Sequence, residues 1–249
     1  MNQSDALFEI PDQLPEWAKR LVVFDTETTG LDLTQARIVT ACAVEIDANG
    51  EIASDRAEWL ADPEIEIPEA TSNVHGVTTE IARSQGRKAA DVVSEIVETL
   101  RGYLDQGVAV VAYNAPYDFT ILHYEALRHG IKPLGNPFPV LDPLVLDKKF
   151  DQYRSGKRNL ERVCEIYGVK LLDAHNATAD AVAAGRLMQA IARKHAAVLG
   201  DDIATIHSLQ VQVSNERDLS FQDYMRKSKD PNFTVQLGWP TKLGTSLDE

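Results

Sequence analysis

The run Leu21-Val22-Val23-Phe24, ending in Asp25, constrains the fold more than any other segment, because four consecutive apolar residues leave a strand no solvent face. Such a strand has to be covered above and below, so a sheet with helices on both sides is expected. The run gives way to Thr26-Glu27-Thr28-Thr29-Gly30, a turn signal at the glycine. Residues 37–47 (RIVTACAVEID) and 51–60 (EIASDRAEWL) read as two more strands joined by a hairpin at Asn49-Gly50. Ala89, Ala90, Val92, Val93, Ile96, Val97 and Leu100 recur at helical spacing, and VAVVA at 108–112 reads as another buried strand. Asn114 and Pro116 open a helix that Gly130 closes, PVLDP at 139–143 is strand-like, and two further helices are expected near 159–167 and 177–195. The pattern predicts an α/β fold, a mixed five-stranded sheet in which three antiparallel strands continue into parallel βα units, flanked by helices.

A chain of 249 residues that is 44% hydrophobic suits one domain with a sizeable core. Residues 1–20, with Pro11 and Pro15, read as an N-terminal extension, 21–196 as the domain, and 197–249 as a C-terminal helical extension or tail. Phe221, Tyr224, Met225, Phe233 and Trp239 are too apolar for a purely solvated tail, so that segment either folds back or docks a partner. Lys and Arg number 25 against 38 Asp and Glu, a net charge of −13, which excludes a uniformly basic coat for nucleic acid. A local basic strip survives at 148–162, where Lys148, Lys149, Arg154, Lys157, Arg158 and Arg162 face Asp151 and Glu161. Cys42 and Cys164 offer neither a disulfide framework nor thiolate spacing for zinc. With no basic-then-apolar leader and no membrane-length apolar run, a cytoplasmic protein without membrane association is expected.

Three short segments carry chemistry. Asp25 and Glu27 stand two apart at the carboxyl end of the first strand, so both point to the face of Leu21 and Val23. Alone this means little, since about six acid-x-acid pairs arise by chance at this acid content. Asp118 falls in the first turn of the helix opened by Asn114, heading a stripe with Leu122 and Ala126, and Asp180 heads a stripe with Ala184, Leu187 and Ile191. Either acid could merely complement a helix dipole. Parallel βα units, however, gather strand carboxyl ends and helix N-termini at one sheet edge, where the four acids can meet. Four such carboxylates repel and require cations; oxygen donors without sulfur select Mg²⁺ or Mn²⁺, and two such ions on either side of a phosphate serve phosphodiester hydrolysis. His175, five residues before Asp180, is the candidate general base.

FDTETTG at 24–30, YNAPYDFTIL at 113–122 and HNATAD at 175–180, in that order, resemble the motifs of the DEDDh (DnaQ-like) 3′-5′ exonucleases, which include the proofreading epsilon subunits of bacterial DNA polymerase III. VHGVT at 74–78 and SGKRNLERVCEIYGV at 155–169 are also similar, and the resemblance covers about residues 21–195. It implies a ribonuclease H-like sheet, with Asp25, Glu27 and Asp180 at one ion, Asp25 and Asp118 at the second, and His175 as base. It further implies that Thr28, Thr29, Gly30, His75 and Asn114 border the 3′-terminal nucleotide. Tyr113 stands where many members have histidine. Lys157 and Arg158 are candidate phosphate contacts beside the site.

The expected activity is removal of 3′-terminal mononucleotides from single-stranded or frayed nucleic acid, DNA rather than RNA because Thr28 looks like the DNA-directed type. An exoribonuclease, a small-nucleotide hydrolase and a replication or repair binding module whose tail docks a DNA polymerase are the rival readings.

Overall fold

The structure, a computed structural model, describes residues 13–54, 56–171 and 177–243. The apolar run at 21–24 becomes the centre of strand β1 (Leu21–Thr28), buried on both faces as its composition demands. β1 pairs antiparallel with β2 (Ile38–Ile46), and β2 pairs antiparallel with β3 (Ala57–Asp62). On its other side β1 runs parallel to β5 (Ala109–Val111), which is parallel in turn to β6 (Val140–Leu141). A two-residue strand, β4 (Arg87–Lys88), adds to β3 in parallel, so the order is β4-β3-β2-β1-β5-β6.

Among the described residues the sheet therefore has six strands, not the expected five. β4 consists of two exposed basic residues and has no apolar alternation to announce it. Gly86 is what lets it form: a Cβ there would lie 2.3 Å from the Ala82 carbonyl oxygen and 2.6 Å from the Asp62 nitrogen. The hairpin at Asn49-Gly50 is present, its turn held by Asp47, whose Oδ1 accepts the N–H groups of Asn49 and Glu51. The strand after it starts later than expected, with an isolated bridge at Ile52 before the ladder resumes at Ala57.

Helices cover both faces. α3 (Ala89–Asp105) and α4 (Ala115–Arg128) bury Val93, Ile96, Leu100, Phe119 and Leu122 against Val22, Phe24 and Val110. On the opposite face α7 (Ala177–Lys194) packs Ala181, Ala184, Leu187 and Ile191 against Leu21, Val23 and Val44. Contact there is close: a Cβ on Gly185 would meet Val23 Cγ1 at 2.4 Å and Ile46 Cδ1 at 2.5 Å. α5 (Pro143–Phe150) and α6 (Leu160–Tyr167) complete that layer. Two short helices, α1 (Glu69–His75) and α2 (Thr79–Gln85), lie between β3 and β4, and the four-residue α8 (Ala196–Leu199) follows α7.

The described residues flanking the sheet pack onto it. Leu14 and Ala18 are buried with Ala192, and Gln189 Nε2 donates to the Ala18 carbonyl at 3.0 Å. α9 (Ile203–Ser228) crosses the β6 edge, placing Ile206 in one core and Val213 in the other. Beyond it Trp239 is buried against His207, and the Lys242 N–H donates to Thr120 Oγ1 at 2.9 Å. Among the described residues no helix is long and apolar enough to cross a membrane.

Candidate active site

β5 stops at Val111, opposite Val23, so β1 continues beyond its parallel neighbour for five more residues. Asp118, in the first turn of α4, takes over there: its Oδ1 accepts the Thr26 N–H at 3.0 Å and the Thr26 hydroxyl at 2.7 Å. A buried strand N–H without a ladder partner needs an acceptor, and the side chain that supplies it is an acid only 2% exposed. Asp25 and Glu27 continue the row of Leu21 and Val23 on the face that α7 covers, at half-buried positions. Asp180, also half-buried, lies in the first turn of α7. The Thr178 hydroxyl, two residues earlier, donates to Glu58 of β3 and ties that helix start to the sheet.

The electrostatics register this crowding. The Asp25 carboxyl is held well above the usual carboxylate range, first by burial and then by repulsion from Asp118, Glu27 and Asp180. Asp118 is pushed up to about 7 by burial, against the two Thr26 bonds that favour its anion. Asp25 of β1 thus senses the carboxylates of Glu27 on the same strand, Asp118 of α4 and Asp180 of α7. Among the described residues no group of three or more His, Cys, Asp or Glu is arranged to hold a metal ion. The donor set nevertheless fits a hard divalent cation: it is all oxygen, and a cation would relieve the repulsion and burial that raise Asp25 and Asp118.

The residues expected to border a nucleotide fall around the same edge. Thr28 Oγ1 donates to the Gly30 carbonyl at 2.9 Å and shares a short bond with the Tyr117 hydroxyl. Thr29 Oγ1 accepts the Arg37 N–H at 3.0 Å, and the space beside the Gly30 Cα is open. His75, at the end of α1, lies beside the Thr28 backbone, and its pKa is lowered chiefly by burial. Asn114 takes the left-handed conformation, φ +68°, just before α4. His175 and the neighbouring Asn176 lie outside the described residues.

Two basic candidates separate. Lys157 is exposed, whereas the Arg158 guanidinium is occupied: it donates to Asp147 Oδ2 at 2.6 Å and to the carbonyls of Asp151 and Arg154. Arg154 reaches the same Asp147 oxygen, and the Tyr113 hydroxyl donates to the Arg158 carbonyl. Tyr113 and Arg158 therefore both fasten the 151–158 loop.

Sequence reasoning passed over Asp142, Glu58, Thr26 and Tyr117. Asp142 is fully buried at the end of β6, where Oδ1 accepts the N–H groups of Asn114 and Leu144 and Oδ2 that of Ala115. The available signal was Asp142-Pro143, a helix cap followed by a first-turn proline.

The exonuclease family model RNase_T matches residues 22–188. The chain is 28% identical over 192 residues to DNA polymerase III PolC-type of Lacticaseibacillus paracasei, covering 77% of this chain and 12% of that protein. It is 32% identical over 165 residues to a DNA polymerase III subunit epsilon-like protein of Rhodobacter capsulatus, covering 65% of this chain and 22% of that one. Among solved structures, E. coli Exonuclease I in complex with a dT13 oligonucleotide superposes with a TM-score of 0.60 at 16% identity, over 73% of this chain and 42% of that chain, a likeness of fold. The chain spans less than a quarter of either polymerase relative and less than half of Exonuclease I.

Proposed function

The chain belongs to the RNase_T exonuclease family, and from that premise we propose that it removes nucleoside monophosphates one at a time from the 3′ ends of single-stranded or frayed DNA. The observation that carries this reading is the crowding of Glu27, Asp118 and Asp180, from three separate elements, around Asp25, which each of them repels. Nothing in the packing of a core requires four acids there; a shared pair of cations does.

Two Mg²⁺ or Mn²⁺ ions, when bound, would polarise the attacked phosphate and stabilise the departing 3′ oxygen. Asp25, Glu27 and Asp180 would hold one and Asp25 with Asp118 the other. His175 would take the proton of the attacking water, a role suited to a side chain titrating near neutrality. Thr28, Thr29, Gly30, His75 and Asn114 would seat the terminal nucleotide, the open space at Gly30 admitting a base or sugar. Lys157, exposed beside the 151–158 loop, would meet the phosphates upstream, while Arg158 would hold that loop in place. DNA is favoured over RNA by Thr28 and by the oligonucleotide bound to Exonuclease I. A replication polymerase as partner is supported by the names of the two sequence relatives.

The test is a 5′-labelled single-stranded oligonucleotide incubated with Mg²⁺, Mn²⁺ or EDTA, with an RNA of the same sequence alongside. A ladder shortening by single nucleotides, abolished by EDTA and in Asp180→Ala, is expected on DNA. Cleavage that survives both would overturn the reading, and faster degradation of the RNA would replace the DNA assignment with an RNA one. His175→Ala should lower kcat strongly and flatten the acidic limb of the pH-rate profile; an unchanged limb would assign the base elsewhere.

A further inference from the structure

We propose that Gln210, on α9 and outside the matched segment 22–188, is a positioning residue for the active site, acting through Asp142 on the turn that sets Asp118. The proposal rests on the exonuclease reading of the carboxylate group. Its physical origin is the edge of the sheet. β6 has two residues and among the described residues pairs with β5 alone, Val110 with Val140 and Val111 with Leu141, which leaves its other edge beneath α9. Buried backbone groups need partners, and α9 supplies them from side chains. The Gln210 side chain, fully buried, accepts the Asp142 N–H on Oε1 at 2.6 Å and donates from Nε2 to the carbonyls of Val140 and Ile206, each at 3.3 Å. His207 Nδ1, one turn earlier, accepts the Val140 N–H at 3.2 Å.

From Asp142 the path continues into the site. Its two carboxylate oxygens accept the N–H groups of Asn114 and Ala115, each at 3.0 Å, which are the two residues on which the chain turns into α4. Asn114 is held with φ +68°, a left-handed conformation that is uncommon for residues other than glycine and that asparagine adopts more readily than most. Asp118 lies three residues on from Ala115, rigidly coupled to that turn by the helix, and delivers its Oδ1 to Thr26 beside Asp25. Gln210 therefore fixes Asp142, Asp142 fixes the turn, and the turn aims Asp118.

Gln210→Leu keeps the bulk and removes the acceptor. Groups that orient metal-binding carboxylates lower activity or metal affinity by about 10- to 100-fold when removed. Expected for Gln210→Leu is a fall in kcat of that order with little change in KM for a short oligonucleotide, and weaker Mn²⁺ binding by calorimetric titration of the substrate-free protein. Val213→Ala, one turn along the same helix and buried in the core, is the control for mere loosening of α9; it should leave kcat and Mn²⁺ affinity near wild type. Equal effects of the two substitutions on kcat and on Mn²⁺ affinity would overturn the proposal. A wild-type chain that binds Mn²⁺ without cleaving would remove the exonuclease reading while the Mn²⁺ comparison still decides the role of Gln210. A chain that neither binds nor cleaves would overturn both.

Discussion

Asp118→Asn should remove one of the carboxylates proposed to hold a cation and at the same time stabilise the cation-free protein. The side chain is 2% exposed and its carboxyl titrates at about 7, against about 3.9 in an unfolded chain. Each unit is worth about 1.4 kcal/mol, so keeping this group ionised above pH 7 costs the folded state about 4 kcal/mol. Asparagine retains an oxygen for the Thr26 N–H and hydroxyl, and what those bonds lose with the charge is already contained in the raised value, since they favour the anion there. The net gain is therefore about 4 kcal/mol, or about 8–16 °C in Tm for a chain of this size. The sign follows from a raised acid pKa. Below about pH 4 the carboxyl is protonated in both states and the advantage vanishes; it grows as pH rises toward 7 and is constant above. Thermal melts in EDTA at pH 4 and pH 8 read this directly. Saturating Mg²⁺ should then favour the wild type, which gains binding energy that the variant forfeits in part. A variant no more stable than wild type at pH 8 in EDTA, or equally stabilised at both pH values, would refute the argument.

Three further outcomes are expected. Asp147→Asn strands the partly buried guanidinium groups of Arg154 and Arg158 beside a fully buried position and should cost about 3–5 kcal/mol in urea unfolding; a loss under 1 kcal/mol would mean the pair is solvated. Gly185→Ala drives a methyl into Val23 and Ile46 and should lower stability by about 1–3 kcal/mol, which unchanged melting would contradict. Lys157→Ala should reduce the slope of log K against log salt for single-stranded DNA by about 0.7 without altering Tm, whereas an unaltered slope would remove Lys157 from the phosphate path.

The sequence disclosed much of this molecule because its strongest signals are local. An apolar run of four residues at Leu21 can only be a strand covered on both faces, and the helical stripe Val92, Val93, Ile96, Val97 and Leu100 is buried as its spacing requires. The acids at Asp25, Glu27, Asp118 and Asp180 are legible because each stands at the end of an element whose direction the periodicity fixes. What stayed hidden depends on partners distant in the chain. Asp142 sits in a segment that reads as plain strand, and its value comes from N–H groups 27 and 28 residues earlier and from Gln210, 68 residues later. Arg158 looks like a free cation until the fold sets Asp147 beside it. α1 buries none of its residues, so no apolar stripe marks it, and α5 was masked by PVLDP running straight into Leu144.

The central claim is that Asp25, Glu27, Asp118 and Asp180 share divalent cations around a 3′-terminal nucleotide. Crystals soaked in Mn²⁺ with a deoxynucleoside 5′-monophosphate, measured at the manganese absorption edge, test it most directly. Anomalous peaks bounded by these four carboxylates, with the nucleotide phosphate between them and its sugar toward Thr28 and Gly30, are predicted. Manganese bound elsewhere, with this carboxylate group left empty, would contradict the account.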